Sequence, residues 1–113
     1  MLFRSRQLVA AGHDVRVMVG ESHGLGAIGP DGRGAVAAAG FEREVDVVVG
    51  SLATALGAYG AFAACDRTLA RYLAAHARSL ATSSAPPPPV VAAAMAALEL
   101  LREIGRASCR ERV

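Results

Sequence analysis

Short apolar runs alternate with polar or glycine-rich segments along this chain of 113 residues. Three runs rich in valine or alanine have the length of buried strands. Two longer segments repeat apolar residues every three or four positions, the spacing of a helix with one apolar face. The predicted strands are Val15–Gly20, Val45–Gly50 and Tyr59–Ala64, and the predicted helices run from Asp66 to about Arg78 and over Val90–Arg102.

Local signals indicate where several of these elements begin and end. Gly12 has the position of a residue that closes an N-terminal helix, because glycine accepts the left-handed backbone found there. Asp66 is predicted to be a helix N-cap. A short helical turn is expected at Ala35–Ala39, closed by Gly40. The segment Ser79–Pro89 predicts a loop that leads into the last helix, with proline near the helix start.

Each of the two long helices is predicted to pack through one apolar face. Side chains three or four positions apart lie on the same side of a helix, which defines these faces. The predicted faces are Leu69, Leu73 and Ala77 for the first helix, and Val91, Met95, Leu98 and Arg102 for the second.

The order strand, loop, helix, strand is typical of an α/β fold with a parallel sheet. Such sheets bind ligands at the carboxyl ends of their strands. Residues 20–24 and 50–54 follow the first two predicted strands. We therefore expect these two segments to lie side by side in a ligand site.

Composition narrows the possible chemistry. All 12 basic residues are arginine and there is no lysine, so no side chain here can form a Schiff base. The net charge of +2 is carried by scattered arginines, which is no nucleic-acid-binding pattern. A small domain is expected, because 113 residues cannot bury a large core.

The two cysteines and the apolar runs also exclude some classes of protein. Cys65 and Cys109 lack a neighbouring cysteine or histidine at metal-binding spacing, so neither a metal site nor a disulfide framework is expected. No apolar run reaches the roughly 18 residues that a membrane span needs. With no signal peptide recognised, the predicted location is the cytoplasm.

Both ends of the chain have an unusual character. Residues 104–113, Ile-Gly-Arg-Ala-Ser-Cys-Arg-Glu-Arg-Val, can be back-translated into a string that resembles a common short-read sequencing adapter. Residues 1–5, Met-Leu-Phe-Arg-Ser, resemble the adapter for the other end in the same way. We expect the native insert to be residues 6–102 and assign no function to the two ends.

Two motifs carry a family resemblance. Residues 21–34 read Glu-Ser-His-Gly-Leu-Gly-Ala-Ile-Gly-Pro-Asp-Gly-Arg-Gly, and residues 50–57 read Gly-Ser-Leu-Ala-Thr-Ala-Leu-Gly. In this order, and with a strand before each, they resemble the cofactor-binding core of the α-oxoamine synthases. These are pyridoxal-phosphate (PLP) acyltransferases that include 8-amino-7-oxononanoate synthase, 2-amino-3-ketobutyrate CoA ligase and serine palmitoyltransferase. The resemblance covers residues 8–102.

The resemblance implies an α/β fold. It identifies residues 6–102 as part of the large PLP-binding domain of a fold-type-I, aminotransferase-like enzyme, with a mostly parallel sheet flanked by helices. It also implies a condensation of an amino acid with an acyl-CoA or acyl carrier protein thioester, in a homodimer or heterodimer.

Two positions depart from the family motif. Gly20 lies where the family has the aspartate that pairs with the PLP ring nitrogen, and Thr54 lies where it has the Schiff-base lysine. Glu21 is adjacent to Gly20, but neighbouring strand residues point to opposite faces, so it is not expected to substitute. The resemblance therefore predicts no catalytic residue in this chain.

Three residues match cofactor-contacting positions of the family. His23 matches the histidine that contacts the cofactor, Ser51 matches a hydroxyl that binds the PLP phosphate, and Ser83 matches a hydroxyl that reaches the PLP of a neighbouring subunit. Arg33 is expected to form a structural ion pair. The glycines between residues 24 and 34 are expected to shape the loop.

Three interpretations remain open from the sequence. The chain is a fragment of a PLP-dependent acyltransferase, inactive by itself; or it is a non-catalytic partner subunit of a heterodimeric family member; or it is a small unrelated α/β binding module. The first two share the fold and differ in whether the full-length protein carries the missing lysine and aspartate. PLP is the implied cofactor in both.

Overall fold

The computed structural model describes residues 7–8 and 10–110, and side chains within that range as far as residue 104. Predicted features on residues 1–6 and 111–113, and on the side chain of Cys109, lie outside the described residues. Three strands form one sheet in the order β1–β2–β3. The strands are β1, Met18–Gly20; β2, Val47–Ser51; and β3, Ala61–Cys65.

Four helices accompany the sheet in the described part of the chain. A 3₁₀ turn, Pro30–Gly32, precedes the first of them. The helices are α1, Ala35–Ala38; α2, Arg67–His76; α3, Arg78–Ala81; and α4, Pro88–Arg110. The α/β fold class is thus confirmed. No helix in the described residues is long and apolar enough to cross a membrane.

The sheet is mixed. β1 and β2 pair in parallel, with Gly20 opposite Val49, and the connection through residues 21–46 is long enough for a crossover that includes α1. β3 pairs antiparallel to β2 instead of extending the parallel sheet. The connection through residues 52–60 explains this, because a parallel crossover needs about a dozen residues or more.

Several predicted boundaries are confirmed by hydrogen bonds. Gly12 has φ of +81°, and the N–H of His13 donates to the carbonyl oxygen of Leu8 at 3.1 Å, the pattern of a glycine-closed helix. Asp66 caps α2 by accepting from the N–H groups of Thr68 at 2.7 Å and Leu69 at 3.0 Å. The caps therefore formed where local chemistry indicated.

The helix after Asp66 ends earlier than predicted. α2 stops at His76, because Ala77 adopts an extended conformation with ψ of 111°. The chain then forms α3 inside the segment that was predicted to be a loop. Neither glycine nor proline marks this break. The predicted face of Leu69, Leu73 and Ala77 is confirmed, since these are the half-buried positions of the region.

The buried face of α4 was predicted wrongly. Instead of Val91, Met95 and Leu98, which are more than 40% exposed, the buried or half-buried positions lie one residue earlier. Those positions are Val90, Ala94, Ala97 and Leu101. Apolar residues surround this helix on most sides, so periodicity alone could not select the face. Small alanines let α4 approach the 3₁₀ turn that it packs against.

The apolar core is thin. Among the described residues, the buried apolar ones are Val36 and Ala94, and no large side chain is fully buried. The chain exposes 8708 Å² of surface, whereas a compact protein of this mass exposes about 5,800 Å². The order of the sheet end that follows therefore rests heavily on hydrogen bonds.

Candidate cofactor site

The carboxyl ends of β1 and β2 meet at one edge of the sheet. Because the two strands are parallel and Gly20 pairs with Val49, both chains leave the sheet at the same level. The N–H of Glu21 donates to the carbonyl oxygen of Val49 at 2.7 Å and extends the pairing by one residue. We call residues 20–24 together with residues 50–54 the carboxyl edge.

Thr54 connects the two halves of the carboxyl edge. Its Oγ1 donates a hydrogen bond to the carbonyl oxygen of Ser22 at 2.6 Å. Ser22 precedes His23 in the turn after β1, so the turn after β2 is attached to the turn that carries the histidine. The predicted side-by-side arrangement of these segments is confirmed. The position that matches the family lysine is occupied by a short hydroxyl.

Ser51 is the last residue of β2 and is half-buried. Its Oγ accepts a hydrogen bond from the N–H of Ala53 at 3.0 Å, which tightens the turn that follows the strand. A serine hydroxyl that accepts one bond still has its own proton to donate. The residue is therefore placed at the carboxyl edge with donor capacity left.

The structure brings two of the three predicted cofactor-contacting residues to the carboxyl edge. His23 lies in the turn of residues 22–24 and is exposed. Ser51 lies across from it at the end of the neighbouring strand. Ser83 lies elsewhere, exposed in the segment between α3 and α4, and no hydrogen bond among the described residues joins it to this edge. Its predicted role concerns a neighbouring subunit.

Gly20 leaves space at the end of β1. A Cβ added to this residue would meet no atom within 4 Å, and its backbone lies outside the left-handed region. The position could carry a side chain without collision. The missing carboxylate is thus a difference in sequence and not a consequence of crowding.

Glu21 is a buried charged residue that the sequence reasoning did not predict to be central. It is 3% exposed. Its Oε2 accepts from the N–H of Ala35 at 3.0 Å and its Oε1 from the N–H of Val36 at 2.5 Å. The carboxylate therefore serves the first turn of α1, in agreement with the expectation that it does not replace the aspartate missing at Gly20. The signal that could have found it is the acidic residue between two flanking glycine positions, 20 and 24.

Arg33 and the loop glycines have the structural roles that were expected. Arg33 Nη2 lies 3.6 Å from Glu42 Oε1, and both side chains are largely exposed, so the pair contributes little stability. Gly34 has φ of +100° immediately before α1, a conformation that other residues rarely adopt. These residues shape the loop and offer no catalytic group.

A cavity of about 820 Å³ lies between this loop, the turn after β2 and the last helix. Its lining includes Ser51 but not Gly20, His23 or Thr54. It is therefore a different space from the one that the predicted cofactor residues surround. Most of its lining is apolar, with contributions from Leu25, Leu52, Leu56, Phe62, Leu98 and Leu101.

No group of three or more metal-binding side chains occurs within the described part of the chain.

The family comparison agrees with this arrangement. The model of the aminotransferase class I and II family matches residues 6–109. The chain therefore belongs to the aminotransferase class I and II family.

Relatives place the chain more closely among the α-oxoamine synthases. It is 41% identical over 97 residues to 8-amino-7-oxononanoate synthase of Geobacter metallireducens, covering 86% of this chain and 25% of that protein. It is 42% identical over 101 residues to the biotin biosynthesis bifunctional protein BioWF of Cutibacterium acnes, covering 89% of this chain and 16% of that protein. The chain thus spans about a quarter or less of these relatives.

Solved structures support the same assignment. Serine palmitoyltransferase of Sphingomonas wittichii has a TM-score of 0.75 and 33% identity, over 83% of this chain and 24% of that one. The 8-amino-7-oxononanoate synthase of Francisella tularensis has a TM-score of 0.67 and 28% identity, over 87% of this chain and 30% of that one. The fold-type-I resemblance is confirmed, and members of the family use PLP.

The residues of this chain do not fit a covalently held PLP. Thr54 has no amine and its hydroxyl is bonded to Ser22, and Gly20 has no carboxylate for the ring nitrogen. His23 and Ser51 are retained at the carboxyl edge, which leaves two non-covalent contacts of the predicted set. No catalytic step through the cofactor can be assigned to these residues.

Proposed function

We propose that this chain is part of the PLP-binding domain of an α-oxoamine synthase-type protein and that it does not itself catalyse the acyltransfer. The observation that carries the proposal is the Thr54 hydroxyl, bonded at 2.6 Å to the carbonyl oxygen of Ser22 at the carboxyl edge. The family scaffold is formed there, but with no amine that could form a Schiff base or move the substrate α-proton.

The retained residues have a binding role in this proposal. Ser51, with its hydroxyl proton available, would donate to a phosphate oxygen, and His23 would contact the cofactor ring. Ser83 would serve the site of a second subunit in a dimer. The relatives' names support a reaction between an amino acid and an acyl thioester, and this remains the proposed activity of the full-length protein.

A second candidate function is that of a non-catalytic partner subunit. It is favoured by the completeness of the carboxyl edge without the lysine: Thr54 replaces that residue and makes a hydrogen bond of its own. A protein kept for folding and dimerisation would retain such contacts after losing catalysis. Raised condensation activity in a lysine-bearing relative on co-expression with this chain would favour this function over a catalytic one.

The absence of lysine permits a direct test of the site. In Thr54→Lys the introduced amine is the one side-chain amine of the chain, so a borohydride-reduced PLP adduct maps to a single position by mass spectrometry. We expect no side-chain adduct in the wild type and a several-fold higher yield in Thr54→Lys than in Ala53→Lys. Ala53 is also exposed and is the matched control for a lysine outside the site.

Two outcomes would contradict the proposal. Equal labelling of Thr54→Lys and Ala53→Lys would mean that the carboxyl edge does not favour PLP. Release of CoA from an acyl-CoA by the wild-type chain with PLP and an amino acid would mean that the chain is catalytic without lysine.

The domain boundaries are part of the proposal. We propose that residues 6–102 are the native portion of the PLP-binding domain and that residues 1–5 and 104–113 derive from sequencing adapters. The family match reaches residue 109, so the boundary near residue 104 is the decisive one. Long-read sequencing of the locus should show unrelated codons after residue 102; native codons for residues 104–113 would overturn the boundary. A cytoplasmic location stays a prediction.

A further inference from the structure

Glu21 connects three segments of the carboxyl edge through both its backbone and its side chain. Its N–H donates to Val49 in β2, and its carbonyl oxygen accepts from the N–H groups of Gly24 at 3.1 Å and Leu25 at 3.0 Å. Its carboxylate accepts from the first two residues of α1. A single residue therefore links the end of β2, the turn that carries His23 and the start of α1.

The carboxylate occupies a space that two glycines leave open. A Cβ added to Gly24 would overlap Oε2 of Glu21, and a Cβ added to Gly34 would lie 2.9 Å from the same carboxylate. Gly24 does not have a left-handed backbone, so its need for glycine is steric. The glycine spacing of the motif thus encloses the acidic side chain.

The energetics favour this carboxylate as an anchor. A buried carboxylate is costly unless its oxygens are hydrogen-bonded, and here each oxygen accepts a backbone N–H. Bonds from N–H groups to a charged oxygen are stronger than those between neutral groups. Gly34, the N-cap residue of α1, has no side chain to cap that turn, so Glu21 supplies the acceptors.

We propose that Glu21 is a positioning residue that holds the His23 turn and α1 in register with β2, whether or not a cofactor is present. That the positioned turn belongs to a PLP site rests on the proposed function above; the positioning itself does not. The proposal explains how the carboxyl edge keeps its form in a chain that lacks the family's lysine and aspartate.

Hydrogen exchange measured by mass spectrometry on the full 113-residue chain tests this role. We compare wild type, Glu21→Gln, Glu21→Ala and a control, Glu42→Gln, which removes a carboxylate from a half-exposed ion pair. Glutamine keeps one oxygen acceptor but places an N–H₂ against the second N–H. We expect peptides spanning residues 21–36 to exchange about tenfold faster in Glu21→Gln and faster still in Glu21→Ala.

Peptides spanning residues 61–81 provide the internal reference, and they should exchange at the wild-type rate in all four proteins. Unchanged exchange over residues 21–36 in Glu21→Gln would overturn the proposal. So would an equal acceleration of both regions, because Glu21 would then contribute only to global stability. Glu42→Gln should leave both regions unchanged.

A double-mutant cycle tests the contact with Gly24. Gly24→Ala should accelerate exchange over residues 21–36 about tenfold when Glu21 is present, because the added methyl group displaces the carboxylate. In the Glu21→Ala background the same substitution should change exchange by less than about twofold. Equal effects in both backgrounds would show that the glycine does not serve the carboxylate, contrary to the proposal.

The imidazole resonances give a readout specific to the positioned turn. The chain has three histidines, and His13 and His76 lie away from the carboxyl edge. In Glu21→Gln the His23 signals should shift while the other two stay in place; unchanged His23 signals would contradict positioning. None of these measurements uses PLP, so their outcome is independent of whether the proposed function holds.

Discussion

The carboxyl edge and helix α4 differ in what holds them in place. At the carboxyl edge, Glu21 is 3% exposed and its carboxylate and backbone are bonded to three segments. In α4, Ala94 is buried while Met95, the next residue, is 62% exposed. Directed hydrogen bonds define the first region and apolar contact with small side chains defines the second.

The difference teaches where this chain depends on surface cover. Hydrogen bonds within residues 20–54 are satisfied inside the chain. The exposed apolar stripe of Val91, Met95 and Leu98 has nothing packed on it among the described residues, and a helix that is apolar on two sides usually lies between two layers. The carboxyl edge should therefore resist change in its surroundings better than α4.

The largest expected effect is at Gly50, a buried residue of the carboxyl edge. A Cβ added there would collide with the ring of Phe62 and lie 2.6 Å from Leu25 Cδ1. Gly50→Ala should lower the free energy of unfolding by about 3 kcal/mol. Urea denaturation followed by circular dichroism measures it, with Gly20→Ala as the matched control, since an added Cβ at Gly20 meets no neighbour.

An equal loss in Gly20→Ala and Gly50→Ala would break the comparison, because the effect would then come from glycine replacement as such and not from tight packing at this edge.

An intermediate effect is expected on the buried face of α4. Ala94→Leu should lower the free energy of unfolding by about 1–2 kcal/mol, because the larger side chain forces α4 away from the 3₁₀ turn. Met95→Gln should change it by less than about 0.5 kcal/mol, because the side chain is mostly in water. Urea denaturation of both variants measures the difference.

The Met95 result also sharpens the comparison. If Met95→Gln destabilises the chain as much as Ala94→Leu does, then the exposed stripe is covered in solution. Sedimentation at several protein concentrations would then show whether a second copy of the chain provides the cover.

The smallest expected effect is at the opposite end of the strands. Asp46 Oδ2 accepts from the N–H of Val17 at 2.7 Å and Oδ1 from Arg16 Nη1 at 2.9 Å. The Val17 hydrogen bond, followed by that of Arg16, lowers the pKa of Asp46 below its ordinary value of 3.8. A lowered folded-state pKa means that the ionised carboxyl stabilises the fold above this value and that the contribution is lost as the pH falls below it.

Asp46→Asn removes this titration while keeping one oxygen acceptor. The urea midpoint of the wild type should therefore fall more than that of the variant between about pH 5 and about pH 3. Parallel pH profiles of the two proteins would refute the role of Asp46 as an anchor of β1.

Much of the site could be predicted because its signals are local. The strand-like runs before residues 21 and 51 predicted that both motifs follow strands, and the parallel pair brings them together as expected. Gly12 and Asp66 ended and began helices through bonds to residues at most four positions away. Such contacts depend only on neighbouring residues, so the sequence pattern contains them.

Other features were not predictable from local pattern. The antiparallel direction of β3, the break at Ala77 and the buried face of α4 depend on how elements pack or connect. The hydrogen bond from Thr54 to Ser22 spans 32 positions, and those from the Glu21 carboxylate span 14 and 15. Side chains at such separations meet only after the sheet has formed.

By itself, the sequence determined that the chain is an α/β protein of the PLP family, that it has no lysine, and that Gly20 and Thr54 replace the residues on which the family's chemistry depends. The tertiary structure decided that Glu21 is buried under α1, that Thr54 bridges the two turns, and that α4 packs through its alanines. The physical reason is range: composition and local caps are properties of the chain, whereas burial and long-range hydrogen bonds exist only when distant segments share a space.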